Sequence, residues 1–418
     1  MDNNLEREYT KLEEKLGFYF GRLISYPLVP PEHVYFSLTT RCNLRCQMCD
    51  IFKSPTKIED ELSTPEIKDI ILQIKNMRVR HLIFSGGEPL LRRDFFEIVE
   101  FATTNSIRDV DIITNGTLFD DYIIKKLLNL RLNHITISLD GLRETNDKIR
   151  GKGVFEKVVS NIDKLKHYKS KYGFSFPTLG INFTILDDNI DDLLPMIEFA
   201  RGSGLNAILL QPVLFSNIKM YEKKRNVLWP SENSIFKLKK TTKKIISLKN
   251  TLKDFVICTD TDILKALSGY FMGKRPKINF GCYEAIKRIA INSEGKLWSC
   301  MGVYGDLKKK SLKENWCSSE AEKIRNEVKK CSEHCLQDCV YSSSDILYHV
   351  EKVLERLDRK VGLRNKEIEE KLLERVKHYI DILNEKYAYQ RPLTNIRFKR
   401  ELKKLYLIRD RLKKNQQN

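Results

Sequence analysis

Between about residue 31 and residue 215 the chain alternates between two hydrophobic rhythms. Short apolar runs at about 34–40, 81–85, 109–114, 134–139, 178–186 and 206–212 are rich in the β-branched and aromatic residues that suit strands. Segments near 64–77, 94–105, 120–130, 153–170 and 189–203 instead place apolar residues at helical spacing. Thr64 before Pro65 reads as an N-cap followed by proline in the first turn. Six strands alternating with helices predict a parallel sheet with right-handed crossovers. Outside this region the rhythm changes. Residues 3–24 predict an amphipathic helix, closed by the connector Tyr26-Pro-Leu-Val-Pro-Pro31. Residues 213–277 form a basic interruption with helices expected at 232–250 and 259–272, and charged helices fill the chain from 345 onward, broken at Arg391-Pro392.

Just past the first strand lies Thr40-Arg-Cys-Asn-Leu-Arg-Cys-Gln-Met-Cys-Asp50, with Cys42, Cys46 and Cys49 spaced three residues and then two apart. Three thiolates leave one position open on a metal centre that wants four ligands, whether zinc or an iron–sulfur cubane. An incomplete zinc knuckle and scattered buried thiols are the plainer readings. The spacing and its flanks resemble the radical S-adenosylmethionine (SAM) superfamily. That resemblance implies a [4Fe–4S] cluster whose open iron chelates SAM. It also implies reductive cleavage to a 5′-deoxyadenosyl radical, which takes a hydrogen atom from substrate. The fold it implies is a partial (β/α)6 TIM-like barrel with its chemistry at the C-terminal strand ends.

Further motifs follow in the family's order. Ser85-Gly-Gly-Glu-Pro89 closes the second strand and resembles the motif that holds the SAM amino group, with Gly86 and Gly87 permitting close backbone approach and Glu88 matching an ammonium. Met48 occupies the place of the bulky residue that covers adenine. Thr114-Asn-Gly116 and Ser138-Leu-Asp-Gly141 end the third and fourth strands, making Asn115, Ser138 and Asp140 candidates for the methionine carboxylate and ribose. Asn115 also suits a plain Asn-Gly turn. Arg150 matches a carboxylate-pairing arginine, with a surface salt bridge as its bland reading. Asn182 and Gln211 point toward the barrel mouth if the strand register holds.

A second cysteine group begins at Cys282 and Cys300, which flank a hairpin turned at Asn292-Ser-Glu-Gly295, and continues with Cys331, Cys335 and Cys339. It resembles the SPASM/twitch extension of radical SAM enzymes but departs from the full SPASM spacing. Seven cysteines remain outside the triad, one short of two fully ligated cubanes. One auxiliary [4Fe–4S] cluster is therefore expected, held by Cys282, Cys300 and two of Cys331, Cys335 and Cys339; a zinc site made by the same four thiolates is the alternative. Cys258 and Cys317 are left over; a hydrogen-atom donor to a substrate radical is one reading, and a buried, inert thiol is the expected one.

These readings divide the 418 residues into an N-terminal helix and connector (1–30), the partial barrel (31–215), a basic helical linker (216–277), the cluster module (278–344) and a helical basic tail (345–418). The net charge of +18 concentrates in 216–250 and 391–418, each with ten Lys/Arg against two acids. A Lys-rich composition with lysines solvating helix faces is the favoured explanation, ahead of an anionic partner. No stretch has the length of a membrane span and the N-terminus is not signal-like, so a cytoplasmic protein with reduced cysteines is expected. A nucleic-acid partner is not expected, because no aromatic-interleaved basic groove is visible. The resemblance implies an oxidoreductase-like enzyme needing a reductant such as flavodoxin or ferredoxin. Its substrate is a peptide or protein, or alternatively a small molecule such as a sugar, nucleotide or cofactor precursor. Nucleic-acid modification and a non-catalytic iron–sulfur protein rank lower. Only about thirty residues precede the first strand, which is short for a leader-recognition domain and weighs somewhat against a peptide.

Overall fold

The computed structural model describes residues 3–53, 55–105, 107–214, 228–274, 280–331, 335–336, 341–343, 370, 373–382, 403, 406–407 and 410. The chain divides into two compact units. One comprises Met1–Val29, Asn279–Ile286 and Ser342–Asn418, and the other Pro30–Ile278 and Lys287–Tyr341.

The larger unit holds the expected alternation. Strands β1 (His33–Ser37), β2 (His81–Ser85), β3 (Asp109–Thr114), β4 (His134–Ser138), β5 (Thr178–Ile185) and β6 (Ala207–Pro212) alternate with helices α2 (Thr64–Asn76), α3 (Phe95–Thr104), α4 (Asp121–Asn129), α6 (Val154–Lys171) and α7 (Leu193–Gly202). All neighbouring pairs from β1 to β6 are parallel. The cap of α2 is Ser63, one residue before the expected Thr64; its hydroxyl and the Glu66 carboxylate form a capping box with Pro65 just inside. Several elements have no counterpart in the sequence reading, one helix and one short strand among them. Helix α5 (Arg143–Arg150) buries only Asn146, Ile149 and Arg150, so it lacks an apolar period. The two-residue strand β7 (Val256–Ile257) pairs with β6 after helix α8 (Glu232–Thr251) and before α9 (Thr261–Phe271). The expected basic segment at 215–227 lies outside the described residues.

The sheet is larger than six strands and remains open. Its order is β11-β10-β9-β1-β2-β3-β4-β5-β6-β7. Strand β9 (Arg288–Ile291) lies parallel to β1, with His33 opposite Arg288 and Phe36 opposite Ile291. Antiparallel β10 (Lys296–Ser299) and β11 (Gly302–Asp306) follow it. The hairpin expected around Asn292–Gly295 is therefore present, and it extends the barrel sheet. Gly295 turns it at φ +82°, while Asn292 Oδ1 accepts the backbone N–H groups of Glu294 and Lys296. Helices α10 (Leu312–Trp316) and α11 (Ser319–Lys330) complete the module.

Strands of a parallel sheet covered on both faces usually read as unbroken apolar runs. Here they alternate. Val34, Phe36, Leu82, Phe84, Val110, Ile112, Ile135 and Ile137 are buried on one face. The other face carries His33, Tyr35, His81, Ser85, Asp111, His134, Ser138 and Asn182, placed side by side by the strand register. Ile83 and Ile113 share that face, so it mixes polar and apolar side chains where the opposite face is an apolar core.

In the smaller unit, α1 (Asn3–Ile24) buries Leu16, Phe18, Phe20 and Ile24. Phe18 packs with Tyr283, Ile286 and Val29. β8 (Phe280–Cys282) belongs here, as do helical residues 373–382, whose Tyr379 meets Phe20 at 6.0 Å between rings. Most of the expected helical tail, 345–418, lies outside the described residues. Among the described residues no helix is long and apolar enough to cross a membrane.

Candidate functional site: a cysteine loop at the strand ends

The cysteine loop leaves β1 at the C-terminal edge of the sheet and is fastened from both sides. On one side, Gly87 donates its N–H to Thr39 O at 2.7 Å and Glu88 donates to Arg41 O at 2.8 Å. The Gly-Gly pair is required by this approach: a Cβ on Gly86, at φ +146°, would collide with Thr39 O, and one on Gly87 with Arg41 O. On the other side, Gln47 donates through its backbone to Ile149 O and through Nε2 to Lys148 O, each at 2.9 Å. Thus α5 supports the loop.

Cys46 is buried, whereas Cys42, Cys49 and Met48 are half-buried. Burial pushes the Cys46 thiol up to about 11, with Arg150 pulling the other way, and raises Cys42 as well. Binding of a metal centre as thiolates would then release protons. The thiols do not converge on one point: among the described residues no three His, Cys, Asp or Glu side chains are placed to hold a single metal ion. A cubane binds each thiolate to a different iron and fits a more open triangle.

Glu88 is fully buried at 0% exposure. Its oxygens accept from Thr114 Oγ1 at 2.9 Å, Asn115 N at 2.7 Å and Leu90 N at 3.2 Å. Burial raises its carboxyl to about 7 against these hydrogen bonds. Asn115 makes the turn that its Asn-Gly pair favours, accepting from Thr117 N at 2.9 Å. Its Nδ2 also reaches Asn43 Oδ1 at 2.8 Å and Cys42 Sγ at 3.9 Å. The turn reading of Asn115 therefore holds, and the same side chain reaches the cysteine loop.

Asp140 and Arg150 form a buried pair, Oδ2 to Nε at 2.7 Å, with side chains 0% and 8% exposed. The surface salt-bridge reading of Arg150 does not hold, because the guanidinium is turned inward with Nη1 3.9 Å from Cys46 Sγ. Asp140 also accepts the N–H of Thr184 at 2.6 Å, and its backbone is clasped by Asn146 and Asn189. Burial pushes the Asp140 carboxyl upward while Arg150 lowers it. Ser138 and Asn182 are register partners on one face of the sheet, and Gln211 on β6 shares the orientation of Leu209 beside them.

Sequence reasoning missed a supporting network. Glu61 accepts from Thr39 Oγ1 and from Arg41 at 3.1 Å, and lies 3.5 Å from Arg92. Arg92 in turn donates to Leu38 O at 3.0 Å and pairs with Asp94 at 2.7 Å. Lone charged residues in mixed segments carry no spacing signal. Their burial could be found only in three dimensions.

Of the second cysteine group, Cys300 follows β10, Cys331 ends α11 and Cys335 is half-buried. Cys282 ends β8 in the smaller unit, where its carbonyl accepts from Arg22 Nε at 2.7 Å. Cys339 lies outside the described residues. Cys317 is half-buried. Cys258 is exposed, contrary to the expectation of a buried thiol. It follows edge strand β7, with no further strand beyond to cover it among the described residues.

The residues fit the implied groups. The triad supplies three thiols, one fewer than a four-ligand centre takes, and Asn182 Oδ1, opposite Ser138, is a buried acceptor without a hydrogen-bond partner among the described residues.

Comparison with known proteins agrees with this geometry. Residues 36–200 match the radical SAM superfamily and residues 282–340 an iron–sulfur cluster-binding domain, SPASM. The chain is 38% identical over 184 residues to an Fe-coproporphyrin III synthase of Methanosarcina barkeri, covering 44% of each. It is 35% identical to the mycofactocin maturase MftC of Mycolicibacterium smegmatis, over 44% of this chain and 45% of that one. A probable GTP 3′,8-cyclase of Saccharolobus islandicus is 30% identical over 276 residues, 65% of this chain and 83% of the relative. The chain spans about half the length of the first two relatives. Among solved structures, Streptococcus suis SuiB bound to its precursor peptide SuiA is similar with a TM-score of 0.55 at 14% identity, over 71% of this chain and 66% of that one. The chain therefore belongs to the radical SAM superfamily, a family of enzymes, and pairs that domain with a SPASM iron–sulfur domain, so that SAM and [4Fe–4S] clusters are its cofactors.

Proposed function

We propose that this enzyme modifies a peptide or protein by hydrogen-atom abstraction, with one auxiliary cluster assisting the oxidation or binding the substrate. The reading rests on one observation above all: one face of the sheet carries polar side chains, from Ser138 and Asn182 to Tyr35, His81 and Asp111. Side chains of that kind can hydrogen-bond a substrate rich in amide and hydroxyl groups. Support comes from the maturase relative and from the likeness to a peptide-bound enzyme.

Cys42, Cys46 and Cys49 hold the SAM-binding cluster in this reading. When bound, that cluster supplies the electron that cleaves SAM. Gly86, Gly87 and Glu88 shape the recess for the SAM amino group, the glycines through exposed backbone and Glu88 by fixing the loops. Met48 covers the adenine. Asn115 and Ser138 face the methionine carboxylate and ribose, and Arg150, held by Asp140, sets a positive charge beside them. Cys282, Cys300 and two of Cys331, Cys335 and Cys339 hold the auxiliary cluster.

Oxidation of a small molecule is the second reading, supported by the relatives named as a porphyrin synthase and a nucleotide cyclase. Anaerobic incubation of the reconstituted, reduced enzyme with SAM and peptides encoded beside its gene tests the proposal. A mass change in a peptide, matched by 5′-deoxyadenosine, is expected; turnover only with a small metabolite would replace the first reading by the second.

A further inference from the structure

We infer that the exposed lysine stripe of α8 is the docking surface for an acidic one-electron carrier protein that reduces the cluster held by Cys42, Cys46 and Cys49. The inference depends on the family chemistry, which consumes one electron per SAM cleaved, and not on which substrate is modified.

Helix α8 carries six lysines and a single glutamate. Two of the lysines serve the fold: Lys237 pairs with Asp191 at 2.7 Å, and Lys249 donates to Ile257 O and Thr259 O. Lys239, Lys240, Lys243 and Lys244 are exposed and have no ion pair among the described residues. Phe236 lies at the head of this group, 59% exposed, with Lys240 Nζ 4.4 Å from its ring centroid. Positions 236, 240, 243 and 244 fall on one side of a helix. This exposed aromatic side chain gains only the cation–π contact with Lys240 within the fold, while the lysines around it repel one another. It matches an interface core with a charged rim. Such a rim steers an oppositely charged protein into contact.

The placement agrees. Helix α8 starts at the C-terminal edge of the sheet, because it precedes β7, which runs parallel to β6. Its cap, Ser231, donates to Asp187 Oδ1 at 2.8 Å. The neighbouring Asp188 pairs with Lys148 at 2.8 Å, and the Lys148 carbonyl accepts from Gln47, the residue after Cys46. A short series of contacts thus joins the head of the stripe to the cysteine loop. In the transfer one electron leaves the carrier's reduced centre and enters the oxidised cluster; no bond is made or broken, and the carrier is oxidised by one electron.

The test uses one reconstituted holoenzyme and two readouts: direct binding of an acidic flavodoxin by titration calorimetry, and 5′-deoxyadenosine release driven by that flavodoxin with its reductase or by dithionite. Replacing Lys239, Lys240, Lys243 and Lys244 by Glu is expected to weaken that binding and to lower flavodoxin-driven cleavage by about tenfold or more at low salt, leaving dithionite-driven cleavage within about twofold. The wild-type flavodoxin rate falls with added salt, and a Lys→Gln set of the same four gives a smaller loss in the same arm only. A flavodoxin rate insensitive both to salt in the wild type and to these replacements overturns the proposal, whether or not the replacements abolish binding of RNA or of an acidic peptide. Equal losses of the Gln set in both arms also overturn it. A wild-type enzyme that cleaves no SAM even with dithionite would instead remove the family reading.

Discussion

Glu88 accepts the backbone N–H of Asn115 at 2.7 Å, so a single buried carboxylate joins the loop after β2 to the loop after β3. With Thr114 and Leu90 also donating to it, every partner that the protein gives this group is a donor. Glu88→Gln places an amide N–H against one of them. Leaving a buried donor unmatched costs about 1–3 kcal/mol. A lowered urea midpoint together with weaker SAM binding by equilibrium dialysis is expected, and unchanged SAM affinity in a destabilised variant would restrict Glu88 to the scaffold.

Gly87→Ala drives a methyl group against the carbonyl of Arg41, immediately before Cys42. The loop must move, since the obstacle is backbone. Wild-type protein should reconstitute with about eight irons, two cubanes, and the variant with about four. Iron analysis alongside circular dichroism checks this. A folded variant with full iron content refutes it, and about twelve irons in the wild type would show a second auxiliary cluster.

Arg150→Met strands the Asp140 carboxylate at 0% exposure. Breaking a buried pair from one side costs about 3–5 kcal/mol. Arg150→Met combined with Asp140→Asn is expected to be more stable than Arg150→Met alone, by urea unfolding, while SAM binding stays impaired in both. Simple additivity of the two changes would mean that the pair is not coupled.

Burial, and after it the neighbouring Arg288, holds the His33 imidazole well below its ordinary value of 6.5. Burial lowers His134 in the same direction. The unfolded chain therefore takes up protons that these native imidazoles refuse, so their contribution to stability is complete above pH 6.5 and declines as pH falls below it. His33→Gln should flatten that decline by up to about 1.4 kcal/mol per pH unit. Urea midpoints measured above and below neutrality decide; parallel curves for wild type and variant would refute the assignment.

The residues that carried the most information in the sequence were those whose chemistry requires a fixed spacing. The cysteine triad, the Gly-Gly pair and the polar strand ends are local motifs, and the structure sets them around one loop. The alternating strands were legible as strands because β-branched and aromatic residues recur in them. Helix α5 was not legible, because it buries Asn146 and Arg150 rather than an apolar stripe. Nor could periodicity show that β9 would lie beside β1, since the pairing joins segments about 250 residues apart by backbone bonds alone. The Glu61–Arg92 network was hidden for a related reason: a buried charge looks like any other charge until its partners are placed.

The pairing of β9 with β1 has a mechanical consequence. The strand that delivers Cys42 and the hairpin that delivers Cys300 are stitched together by main-chain bonds, so the span between those two cysteines is set by rigid fabric. Lengthening or shortening the stretch between β7 and β9 can therefore alter what approaches the enzyme while leaving that span unchanged.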